Sequence, residues 1–104
     1  MKVRNIDARG AKECSCGSWL EHWRKYSNQA LPTLCAEEKC QQKPEVGALV
    51  RIDRHGEHEW FVVPLCRRHG EELQHPLNIL DHVALVSADV SKTCGTHHEK
   101  HWWE

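Results

Sequence analysis

Two short stretches, CAEEKC (35–40) and CRRH (66–69), bracket the segment PEVGALVRIDRHGEHEWFVVPL (44–65). Val46, Ala48, Val50 and Ile52 alternate with Gly47, Leu49, Arg51 and Asp53, which is strand periodicity. Trp60–Phe61–Val62–Val63 is a second run of strand-forming residues. Arg54–His55–Gly56–Glu57 between them reads as a turn, with Gly56 free to take a positive φ. The two strands are expected to pair as an antiparallel hairpin. A short helix is expected from about Arg68 to Gln74, stopped before Pro76.

The hairpin returns the chain to its starting point, so the pair Cys35/Cys40 and the pair Cys66/His69 can converge. In the first turn of a helix, spacing i, i+3 places the second pair on one face. Four nitrogen and sulfur ligands in a tetrahedron are what structural zinc takes, and a full set leaves no position for a catalytic water. Cys35, Cys40, Cys66 and His69 are therefore the expected first zinc site. His75, further along the same segment, is the alternative to His69.

Outward from this segment, Ser18–Trp19–Leu20–Glu21 fits a capping box. It predicts a helix to about Tyr26 with Trp19, Leu20, Trp23 and Tyr26 on one face, ended by Ser27–Asn28 and then Pro32. Leu77–Leu80 and Val83–Val86 read as two more short strands. Residues 1–13 read as an extended or loosely ordered lead-in, and 96–104 as a tail without regular structure. The expected fold class is α+β: a single zinc-stabilised domain over 1–104 with two helices and a β-hairpin or short antiparallel sheet.

The remaining cysteines suggest a second cluster. Cys14 and Cys16 can bind one metal through both sulfurs, His22 lies on the predicted helix, and Cys94 closes the site if the last strand returns to the N-terminal segment. Cys14, Cys16, His22 and Cys94 are thus a candidate second zinc site. His97 or His98 in place of His22, a disulfide from Cys94 to Cys14 or Cys16, and three buried thiols are the competing readings. His97, His98 and His101 in the tail are candidates for additional metal ions.

The bulk numbers constrain function. The chain has 104 residues, 39% hydrophobic and 28% charged, with a net charge of -1. A sequence pI of about 6.7 gives no electrostatic case for a dedicated nucleic-acid binder. No stretch approaches the roughly 18 apolar residues of a membrane span, and Met1–Gly10 shows no secretory pattern. A cytoplasmic location is expected, where thiols stay reduced and clustered Cys and His act as metal ligands. Trp19, Trp23 and Trp60 are expected in the core. Trp102 and Trp103, near the chain end, are candidates for a protein interface or for base stacking. Arg24, Lys25, Arg51, Arg54, Arg67 and Arg68 form a scattered basic surface. The partner, protein or nucleic acid, is not legible.

The run Cys35–Leu73 resembles a treble-clef zinc finger: knuckle, hairpin, then a helix bearing the last two ligands. VPLCRRH (63–69) is similar to the segment that opens the last helix of HNH-endonuclease-like domains. CSCGSWLEHW, PEVGA, VPLC and LVSADVSKTC also resemble patterns in a group of short bacterial proteins of unassigned function. The resemblance covers most of residues 3–95 and implies a fold and a metal but no activity. HNH-type nucleases carry a general-base His on or just after the first hairpin strand. Here Ala48–Asp53 holds none, and His55 and His58 read as solvated turn residues. A divergent metal-dependent nuclease is the alternative to an interaction module, by fold analogy alone. No other catalytic constellation is legible.

Overall fold

Val50, at the middle of the first hairpin strand, has a strand on either side and no exposed surface. In this computed structural model, which describes residues 1–7, 16–54, 59–89 and 93, seven elements follow one another. They are β1 (Lys2–Asn5), α1 (Trp19–Tyr26), β2 (Val46–Ile52), β3 (Trp60–Leu65), α2 (Arg67–Gly70), β4 (Leu77–Asn78) and β5 (Val86–Ser87). The strands form one antiparallel sheet in the order β4-β1-β2-β3-β5. The fold is α+β.

The expected hairpin is present, with Val46 opposite Leu65 and Arg51 opposite Trp60. The alternation along β2 does not translate into one buried and one wet face: Ala48, Leu49 and Val50 are buried in succession. The reason is that both faces of the sheet are covered. On the Gly47/Leu49 face, a Cβ built on Gly47 would lie 2.3 Å from the Trp19 carbonyl carbon, so the start of α1 rests directly on the strand. On the Val46/Val50 face, a Cβ on Gly70 would lie 2.5 Å from Val46 Cγ2, which places α2 there.

The sheet is wider than a hairpin because the lead-in contributes to it. Lys2–Asn5 is a strand between β2 and β4, with Val3 opposite both Ile52 and Leu77. Its four residues carry too little periodicity to stand out in sequence. Of the two later strands, the first is shorter than expected, Leu77–Asn78, and the second is displaced toward the C-terminus, Val86–Ser87, sharing only Val86 with the expected run. Pro64 is tolerated within β3 because the register with β5 ends at Val62, so no neighbour on that side asks for the missing N–H.

The helix α1 starts where the capping signal places it: Ser18 Oγ accepts the Glu21 N–H at 3.1 Å. It ends at Ser27, followed by Asn28 at φ 59, a left-handed stop. Its buried side is His22 and Trp23, with Trp19 and Tyr26 partly covered. Trp23 Nε1 donates to the Ala84 carbonyl at 2.8 Å, so this core tryptophan also satisfies its polar atom. Trp60 departs from expectation: at the first position of β3 it is 39% exposed. The predicted helix after Cys66 is a single turn, Arg67–Gly70, not a run to Gln74. Among the described residues no helix is long and apolar enough to cross a membrane.

The two glycines make a contrast that stability measurements can read. Gly47→Ala sets a methyl group against helix backbone, which cannot turn aside, and is expected to lower stability by about 3 kcal/mol, the upper end of the roughly 1–3 kcal/mol typical of core overpacking. Gly70→Ala meets one methyl of the Val46 side chain and no backbone, so it should cost less. Urea midpoints of the two variants check the order.

Candidate metal centre

Cys35 and Cys40 sit on a loop that the rest of the fold holds down. Ala36 donates to the Pro64 carbonyl at 3.0 Å, and its own carbonyl accepts from Leu80 at 3.0 Å. Glu38 donates to the Asn78 carbonyl at 2.9 Å, and Glu37 bridges to Ile79. Within the loop, Cys40 N–H reaches the Glu37 carbonyl at 3.0 Å and Cys35 N–H the Gln42 carbonyl at 2.7 Å. The turn so formed curls both sulfurs toward the end of β3, where Cys66 begins α2.

There the four ligand atoms of Cys35, Cys40, Cys66 and His69 lie within 4.8 Å of one another. Cys40 and Cys66 sulfurs are 3.8 Å apart, and His69 Nδ1 is 3.6 Å from the Cys35 sulfur and 3.3 Å from that of Cys66. A tetrahedral zinc with Zn–S near 2.3 Å and Zn–N near 2.0–2.1 Å requires sulfur–sulfur edges of about 3.8 Å and sulfur–nitrogen edges of about 3.6 Å. A disulfide would require about 2.05 Å, and Cys35, Cys40 and Cys66 form none. The donor set fits one metal ion. His69, not His75, is the histidine drawn in: His75 is exposed and pairs with Glu72 at 3.2 Å.

Backbone amides point at the sulfurs. His69 N–H reaches Cys66 Sγ and Gln42 N–H reaches Cys40 Sγ, each at 3.4 Å. Donors aimed at a thiolate favour the charged form. Against them, burial pushes the Cys35 thiol from an ordinary 9.0 up to about 12. The amides of Cys66 and Glu37 moderate that rise, and the sulfurs of Cys66 and Cys40 add to it. A divalent cation reverses this balance, because a coordinating thiol gives up its proton.

One residue that holds the centre was not legible in the sequence. Asn5, on β1, donates through Nδ2 to the carbonyls of His69 and Glu72, both at 2.7 Å. It satisfies two carbonyls just where α2 stops, which fixes the backbone of a ligand. Its partners are more than sixty residues away in sequence, so no local pattern marks it.

Of the second set, Cys16 and His22 are described and lie together, with Cys16 Sγ 3.9 Å from His22 Nδ1. Cys14 and Cys94 lie outside the described residues, as do His97, His98, His101, Trp102 and Trp103. So do His55 and His58, the candidate bases of a nuclease. No protein-family model, no curated protein and no solved structure matches the chain.

A pH dependence of the metal-free chain follows from Cys35. The folded chain holds that proton to about 12, whereas an unfolded thiol releases it near 8.5. Between these values the folded state binds more protons, so its stability falls as pH rises. Where an osmolyte such as sucrose restores the fold of the chelated protein, its urea midpoint is expected to fall progressively above about pH 8.5, and Cys35→Ala under the same conditions should flatten that slope.

Proposed function

We propose that this chain is a small interaction module built on a structural zinc ion held by Cys35, Cys40, Cys66 and His69. The observation that carries the reading is the convergence of four ligand atoms within 4.8 Å of one another, three of their separations, 3.3, 3.6 and 3.8 Å, lying near the edges of a zinc tetrahedron. Four protein donors complete such a shell, which suits structure and leaves no place for substrate. Knuckle, hairpin and a short helix bearing the last two ligands follow one another as in a treble-clef finger, and the chain is read as one such domain.

Zinc supplies folding energy here. Structural zinc contributes roughly 10–16 kcal/mol in finger peptides near neutral pH, comparable to the whole net stability of a domain, about 5–15 kcal/mol. A core of mostly Val, Ala and Leu under two short helices is therefore sufficient.

The interaction role is supported by what surrounds the cluster. Lys43, Arg67 and Arg68, with Gln41, Gln42 and Glu45, line an open groove of about 630 Å³ beside the ligands. Arg67 is only loosely paired, 3.5 Å from Glu45. Such a surface suits a partner that presents carboxylate or phosphate groups, and the overall charge of -1 keeps the attraction local.

A strong chelator at neutral pH is expected to unfold the protein, read as loss of a cooperative far-UV melt; an unchanged melt refutes a structural ion. Cobalt substitution should give intense sulfur-to-metal charge-transfer bands. Cys66→Ser should lower zinc by one equivalent per chain in elemental mass spectrometry. For the surface, Arg67→Glu combined with Arg68→Glu should abolish any shift of short duplexes or single strands in a salt-dependent mobility assay.

A further inference from the structure

His22 is the one buried polar or charged side chain among the described residues, with no exposed surface. Its ring is held on every side. Trp19 meets it edge-on at 5.0 Å between centroids, and Tyr26 lies on its other flank at 5.1 Å. Nε2 lies 3.0 Å from the Ser87 carbonyl, on β5. A carbonyl only accepts, so Nε2 carries the hydrogen, and in the neutral ring Nδ1 is left with its lone pair. That lone pair faces Cys16 Sγ at 3.9 Å.

This is how a metal-binding histidine is oriented: one nitrogen bonded to a backbone carbonyl, which fixes the tautomer, and the other turned to the metal. The approach of Cys16 is also built. Gly17, at φ 102, turns the chain between Cys16 and the Ser18 cap, a conformation other residues rarely adopt. The turn sets the thiol against the helix side that bears His22. The separation is close to the sulfur–Nδ1 distances in the first centre, 3.3 and 3.6 Å.

We propose that Cys16 and His22 are ligands of a second zinc ion, which fastens the turn before α1 to the helix as the first fastens the knuckle to α2. Two donors do not complete a zinc shell. The sequence offers thiols at Cys14 and Cys94, which lie outside the described residues, and the geometry argued above does not depend on them. The same two atoms at this distance also fit a plain S–H···N hydrogen bond, and counting metal separates the two.

Native mass spectrometry of the reduced wild-type protein, refolded with zinc, is expected to show two zinc ions per chain. Cys16→Ser and His22→Gln should each show one; the glutamine amide can keep the Ser87 contact while removing the Nδ1 donor. Cys66→Ser should also show one, and Cys16→Ser with Cys66→Ser none. A single ion on wild type that Cys16→Ser leaves in place overturns the proposal, whatever becomes of the first centre. Two ions on wild type that persist in both Cys16→Ser and His22→Gln overturn the assignment of these residues. If either variant fails to fold, the wild-type count still decides: one ion per chain refutes a second site.

Discussion

Three sulfurs and an imidazole nitrogen, from a loop, a strand end and a one-turn helix, share a volume in which no two ligand atoms are more than 4.8 Å apart. Thiols so placed either keep their protons or share a cation, because adjacent thiolates repel and burial penalises each charge. Burial pushes the Cys35 thiol up to about 12, so this sulfur resists ionising alone. The amides aimed at Cys40 and Cys66 become useful only when those sulfurs are charged. The centre is thus arranged for an ion whose charge outweighs the cost of burying thiolates.

The surrounding architecture follows from that requirement. The hairpin brings Cys66 back to the knuckle, and the knuckle is fastened to Pro64 and to the Asn78–Leu80 segment by backbone hydrogen bonds. Asn5 then holds the His69 carbonyl from the far side of β2. The sheet separates α2, with the Cys35, Cys40, Cys66 and His69 cluster, on one face from α1 on the other. Gly47 is the point where helix and sheet come closest, since any side chain there would collide with α1 backbone.

The opposite face has its own polar centre. A fully buried imidazole is costly unless its nitrogens are engaged, and His22 uses one of them on Ser87 and turns the other to Cys16. The small core therefore relies on polar contacts of long sequence separation on both sides of the sheet. This fits a chain of 104 residues with only 39% hydrophobic composition, whose apolar area alone gives limited stability.

Local chemistry made much of this legible. Paired ligands at short spacing, Ser18 before a helical run, a helix stop at Ser27–Asn28 and alternation along Val46–Ile52 each depend on neighbours in the chain, so they can be read from it. The Cys35, Cys40, Cys66 and His69 set was readable for the same reason: two local pairs and a hairpin between them. Other features depend on partners that only the folded chain supplies. The strand at Lys2–Asn5, the exposure of Trp60, the arrest of α2 after one turn and the role of Asn5 are set by contacts across the sheet. Sequence by itself determined which donors travel together. Tertiary structure decided which face they meet on, because a strand's neighbours and a helix's end are fixed by packing and by hydrogen bonds between residues far apart in the chain.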